Sequence, residues 1–92
     1  MNAPVNVNDK YGRIRPDSSY LIEPIYDKIW GFTEGFAIVK KDGKWGYIKS
    51  DGNYLAEPQY DIATEFNNGM AHVRIGNKKG FIDTEGNWLR DA

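Results

Sequence analysis

Ninety-two residues make room for one small domain, with a modest core. The formal net charge of −1 is spread along the chain, which excludes a basic face of the size that nucleic-acid binding needs. Cysteine is absent, which excludes a disulfide framework and a thiolate zinc site, and no apolar run reaches transmembrane length.

Residues 1–9 lack the basic start and apolar run of a signal peptide. As it stands the chain is expected in the cytoplasm; a removed leader would place it in the cell envelope or outside the cell. Ala3-x-Val5 opens a first strand. Asn8-Asp9 and Asp17-Ser18 are turn signals that divide the first stretch into three short strands. A connection then runs from Pro24 to Glu34, beginning Pro-x-Tyr-Asp. Pro24 is expected to end its strand, because proline supplies no ladder N–H. Asp27 is expected to cap a short helical turn that sets Ile29 and Phe32 on one face.

The next stretch repeats the order. Phe36 to Lys41 and Lys44 to Lys49 read as strands around Asp42-Gly43, a dipeptide suited to a two-residue hairpin. Asp51-Gly52 turns the chain again, and Asn53 to Glu57 is a third strand. Pro58 to Asn68 is the second connection, with Asp61 as its cap and Ala63 and Phe66 on one face. In the last stretch Gly76-Asn77 and Glu85-Gly86 mark the turns.

A shift of 34 residues superposes the chain on itself without an insertion or deletion. Lys10, Lys44 and Lys78 align, as do Gly12, Gly46 and Gly80, Ile14, Ile48 and Ile82, and Leu21, Leu55 and Leu89. A short fixed period is the signature of a repeat architecture. The units are residues 1–34, 35–68 and 69–92, forming one self-contained domain over 1–92. The expected fold is all-β: three tandem repeats, each a three-stranded antiparallel meander, nine strands in total. They pack either as a small open array or as a closed pseudo-threefold domain. Alternation places the recurring Ala, Val, Gly, Ile and Leu in the core. The glycine inside each second strand implies a close neighbour, for which Tyr26 and Tyr60, or Phe32 and Phe66, are candidates. Pro4, Arg90 and Asp91 are candidate edge breakers.

Gly69-Met-Ala-His-Val, Lys44-Trp45-Gly46-Tyr47-Ile48 and Glu57-Pro58-Gln59-Tyr60-Asp61 resemble the WG-repeat family over nearly the whole chain. The Trp of the Trp-Gly pair is kept at Trp45, with Tyr11 and Lys79 in its place elsewhere. The resemblance implies bacterial repeat proteins, often secreted or in the envelope, that mediate interactions. It implies no catalytic residue set.

The residues themselves give enzymes little purchase. His72 is the single histidine, and Ser18, Ser19 and Ser50 all lie at turns or strand ends, so no nucleophile–base pair is expected. Glu23, Glu57 and Asp91 share one repeat position, but nothing around them separates their proton affinities as a glycosidase requires. The stretch Asp83 to Asn87 reads as a hairpin turn, because the spacing of a calcium loop is missing. The lysines 40, 41, 44 and 49 read as a solvated surface. Aromatic residues outside the core pattern carry the stronger signal. Trp30, whose repeat equivalent is Thr64, stands out, followed by Trp45, Tyr47 and Phe81 on the variable strand face, with His72 beside them. These five are the candidate binding residues. The expectation is a non-enzymatic protein-interaction module without a cofactor or metal, in one version an immunity-like protein that binds and blocks a partner. The alternative is a glycan or bacterial cell-wall binding module. Neither nucleic acid nor membrane insertion is expected.

Overall fold

In the computed structural model, which describes residues 2–92, the strands follow the turn signals in chain order. β1 (Ala3–Val7) and β2 (Lys10–Ile14) meet at Asn8-Asp9, and β3 (Tyr20–Tyr26) follows the Asp17-Ser18 turn. A two-residue strand, β4 (Lys28–Ile29), precedes β5 (Phe36–Lys41) and β6 (Lys44–Lys49). β7 (Tyr54–Tyr60), the short β8 (Ile62–Ala63), β9 (Met70–Ile75), β10 (Lys78–Asp83) and β11 (Trp88–Asp91) repeat the set. Asp42 and Gly43 take φ of 53° and 83°, the positive pair that lets a two-residue turn match strand twist.

The strands form three antiparallel sheets, β1-β2-β3, β4-β5-β6-β7 and β8-β9-β10-β11. Each holds one three-stranded meander, as the repeat requires. The connections differ from expectation. Among the described residues there is no helix, so Asp27 and Asp61 cap none. Residues 28–29 and 62–63 instead extend and pair with the first strand of the next unit, giving eleven strands rather than nine. Backbone groups that a helical turn would satisfy internally are satisfied by an edge: Asp27 and Trp30 donate their N–H groups to the carbonyls of Lys40 and Ile38 at 2.8 and 2.9 Å. Ile29 and Phe32 still reach the core from this extended backbone.

The prolines do not end their strands either. Tyr47 pairs with Ala56 and Trp45 with Tyr60, so Glu57, Pro58 and Gln59 bulge opposite the single residue Gly46. Tyr11, Arg13, Ile22 and Tyr26 build the same bulge around Gly12 and Pro24. A bulge tolerates proline because the ladder is already interrupted there. It also explains the recurring glycine. A Cβ on Gly46 would lie 2.7 Å from the Ala56 carbonyl oxygen and 2.7 Å from the Pro58 nitrogen. The close neighbour is therefore the bulged backbone of the adjacent strand, not Tyr26, Tyr60, Phe32 or Phe66. At Gly80 the indole of Trp88 joins the backbone in filling that space.

The sheets stack as an open array measuring 41 × 25 × 15 Å, with no closed threefold arrangement. Two apolar layers hold it together. Ile22 and Tyr26 of the first unit meet Val39 and Ile48 of the second, flanked by Leu21, Ile29 and Phe32. One repeat on, Ala56, Tyr60 and Phe66 meet Val73 and Ile82, joined by Ile38, Tyr47 and Ala71. The middle sheet is thus covered on both faces. The recurring leucines are less buried than expected: Leu21 and Leu55 are half-buried, and Leu89 is 47% exposed. Leu21 lies under the next unit's turn, where its carbonyl oxygen would sit 2.4 Å from a Cβ on Gly52. Leu55 lies likewise under Gly86.

Polar ties reinforce each junction. The Asp27 carboxylate binds the Lys10 ammonium of its own unit and accepts from the Asp42 N–H of the next at 3.2 Å. Asp61 repeats this with Lys44 and with the Gly76 N–H at 2.7 Å. Glu34 accepts from the N–H groups of Asn68 and Gly69 at 2.9 and 3.1 Å. Tyr26 and Tyr54 share a 2.5 Å hydroxyl contact, and burial followed by that contact raises the Tyr26 pKa.

Gly46→Val is expected to cost about 3 kcal/mol or more, since the obstruction is backbone. Gly31→Ala, where the nearest atom is 4.0 Å away, is expected to be close to neutral. Urea unfolding of both variants checks the pair, and an ordinary midpoint for Gly46→Val would refute the bulge assignment.

The aspartates predict an acid limb. The hydrogen bond from Lys10 and then the Asp42 N–H hold Asp27 below its ordinary 3.8, and Lys44 and the Gly76 N–H do the same for Asp61. A carboxyl with a lowered folded-state pKa contributes stability above its unfolded value and loses it as pH falls through the folded one. The melting temperature should therefore hold from neutral pH to about pH 4 and fall below it, and an Asp27→Asn, Asp61→Asn double variant should show a shallower fall. Circular-dichroism melts from pH 2 to 7 make the comparison.

Candidate interaction surface

Trp30 follows the short β4 strand, whose pairing with β5 fixes its backbone. The residue is 46% exposed. It meets the Trp45 ring at 5.3 Å between centroids and a tilt of 59°, so the two indoles form a corner rather than a flat platform. The Lys40 ammonium lies 5.3 Å from the Trp45 ring, near enough for cation–π attraction. Trp45 is half-buried and also packs on the core, which anchors the corner to the rigid middle sheet. Beside Trp30 lies a shallow hollow of about 390 Å³ lined by Tyr11, Asp27, Lys28 and Ile29.

The other candidates lie elsewhere. The His72 and Phe81 rings are 5.2 Å apart on the outer face of the third sheet, with the Arg90 guanidinium 5.2 Å from Phe81. The His72 backbone N–H donates to Thr64 Oγ1 at 2.9 Å. The imidazole is half-buried rather than a fully exposed strand side chain, and its Nε2 has no partner. A broad cleft of about 750 Å³ passes this pair between Thr33, Glu34 and the Phe66 to Met70 segment.

Tyr47 corrects the sequence reading. It is fully buried, its hydroxyl donates to the Thr64 carbonyl at 2.7 Å, and burial pushes its pKa up. Its ring meets Tyr60 and Phe66 edge-on. The sequence assigned it to a variable outer face, but in a stack of sheets that face of the middle unit is an inner one. Tyr47 is therefore a core residue and no part of a surface. The structure joins Trp30 to Trp45 and His72 to Phe81. Among the described residues no ring contact links the two pairs. Lys40 and Tyr11 join the Trp30 surface without having been singled out. The available signal was position: Tyr11 is the repeat equivalent of Trp45, and Lys40 is the cross-strand partner of Trp45.

Several of the remaining candidates have structural partners. The Ser19 hydroxyl donates to Asp17 at 2.6 Å within its turn, and that bond is the leading cause of a lowered Asp17 pKa. Asp83 accepts from the N–H groups of Glu85 and Asn87, both at 2.9 Å, as a hairpin turn does. Glu23 and Glu57 are exposed, and Asp91 accepts from the Trp88 indole N–H at 3.0 Å.

A family model described as the WG containing repeat matches the chain twice, over residues 14–45 and 45–78, well over half its length. No curated protein matches, and no solved structure matches.

Trp30→Ala should change stability by about 1 kcal/mol or less, the scale of one aromatic pair. Tyr47→Ala should cost about 3–5 kcal/mol, the scale of a deleted core aromatic. Thermal melts of the two variants separate surface from core, and equal losses would contradict the assignment.

Proposed function

The chain belongs to the WG containing repeat family, and on that premise we propose that it is a non-enzymatic module that binds a protein partner. The observation that carries this reading is the Trp30–Trp45 corner with Lys40 beside it. A large half-exposed indole held on a rigid sheet loses little conformational entropy on binding, which is what interface hot spots exploit. Among the five residues picked for binding, Trp30 and Trp45 supply the surface. In the finer version the protein binds and blocks its partner, as immunity proteins do; a rigid exposed anchor supports that version.

Glycan binding is the second reading, supported by the same indoles, since aromatic faces stack on sugar rings. The 59° tilt favours protein over polysaccharide, because a corner grips a protruding side chain better than a flat ring.

An affinity capture from the source organism's lysate, run beside sedimentation with peptidoglycan and polysaccharide, tests the proposal. A stoichiometric protein captured by the natural chain and lost with Trp30→Ala is the expected result. Sedimentation with polysaccharide and no protein capture would replace it with the glycan reading.

A further inference from the structure

Where β4 joins β5, Lys28 and Lys40 lie directly opposite each other. Like charges in that position repel and weaken the strand pair. One repeat on, the same positions hold Ile62 and Arg74, so the pairing itself does not require two lysines. Among the described residues neither Lys28 nor Lys40 has an ion pair. Asp27 lines the neighbouring hollow, but its carboxylate is already held by the Lys10 ammonium and the Asp42 N–H. Those two groups keep its pKa down, and Lys40 adds only the smallest part.

The two lysines border an apolar recess. Lys28 pairs with Lys40 and Lys40 with Trp45, so the three form one row on one face of the sheet. Lys40 reaches over the Trp45 ring, and Trp30 tilts against the same ring. On the other side of Trp30, the hollow between Tyr11 and Ile29 has Lys28 in its lining and room for one large apolar side chain. The combination is local to this junction, since the repeat equivalents of Lys28 and Trp30 are Ile62 and Thr64.

Stacking of the repeats does not cover this place. The middle sheet has a unit packed on each face, and Trp30 stays 46% exposed with both in position. In a repeat array each unit touches only its neighbours, so a further repeat would lie against the first or the third sheet.

We propose that the Trp30–Trp45 corner binds an acidic segment of a partner protein, which places one large apolar side chain in the hollow beside Trp30 and a carboxylate beside Lys28 and Lys40. The proposal rests on the interaction reading above and names the chemistry of the partner. Charge complementarity argues for the acid. A carboxylate set there offsets the Lys28–Lys40 repulsion that the fold leaves standing, and only binding brings that relief. Nucleic acid fits less well. Its backbone needs a track of cations, whereas these lysines border a single recess, and the 59° tilt gives successive bases no parallel platform.

Selection of random peptides displayed on phage against the immobilised chain tests this. Enriched peptides should carry Asp or Glu close to a large apolar residue. Made synthetically, they should lose binding with Trp30→Ala and bind Lys28→Glu about tenfold more weakly or worse. Exchanging their acids for lysine should restore binding to Lys28→Glu and abolish it with the natural chain. Lys28→Glu should melt at or above the natural temperature, because it turns a repelling cross-strand pair into an attracting one. Enriched peptides that need Trp30 but carry no acid, or that bind Lys28→Glu as tightly as the natural chain, overturn the acidic partner and leave the interaction reading standing. Failure to enrich any peptide that depends on Trp30 overturns both. Tighter binding of oligothymidylate or of an acidic polysaccharide than of any enriched peptide, lost with Lys28→Glu, overturns the proposal by making that polymer the occupant.

Discussion

A three-stranded meander of this length cannot bury its own apolar face, and that shortage governs the whole molecule. Ile22 and Tyr26 have nothing of their own to pack against; they are buried because Val39 and Ile48 of the next unit cover them. The same exchange recurs one repeat on, with Ala56 and Tyr60 against Val73 and Ile82. Each unit is therefore half of two interfaces rather than a body with a core, and the middle unit is complete only because it has neighbours on both sides. The exposed Lys–Asp pairs contribute little energy by themselves in such a setting. Their value lies in register, since each aspartate holds a lysine of one sheet and an amide of the next.

The two ends of the array meet the shortage differently. At the third unit, Arg90 and His72 occupy positions that are Ala56 and Ile38 at the inner junction. Lys78, whose equivalents pair with aspartate, instead lies 4.9 Å from the Trp88 ring. These substitutions make the outer face of the third unit more polar than the faces at the inner junctions. At the first unit, Ala3, Val5 and Ile14 keep the apolar identities of the buried positions. The outer face of the third unit is the more polar of the two, and the first unit keeps the chemistry of a junction.

The strands and turns were legible in the sequence because they depend on neighbours in the chain. The bounds of β5 and β6 follow from Asp42-Gly43 and from alternation alone, and the period fixes the rest. The connections were not legible. Pro-x-Tyr-Asp reads equally well as a strand end with a helix cap or as a bulge leading into a short edge strand. The choice lies with β5 and β9, whose unpaired edges take the segment. The site was half legible for a related reason. Trp30 stood out through its polar repeat equivalent and is indeed exposed. Tyr47 looked as variable as Trp45, yet both faces of the middle sheet are interior, and nothing within one unit announces that a second sheet will cover it. The recurrent glycines signalled a close approach correctly, but only the register revealed that the approaching group is backbone of the same sheet.

Glu34 reaches forward one unit to Asn68 and Gly69, and the widest side-chain hydrogen bond among the described residues spans 35 positions. The Glu34–Gly69 bond alone passes from the first unit to the third, and it does so at their margins, across little more than one repeat length. The entropy of loop closure is therefore met in equal, short instalments, and no early segment has to wait for the last residues before it finds its partner. A chain built this way can fold in the direction of its synthesis, closing each layer on the one before it as the ribosome releases the next 34 residues.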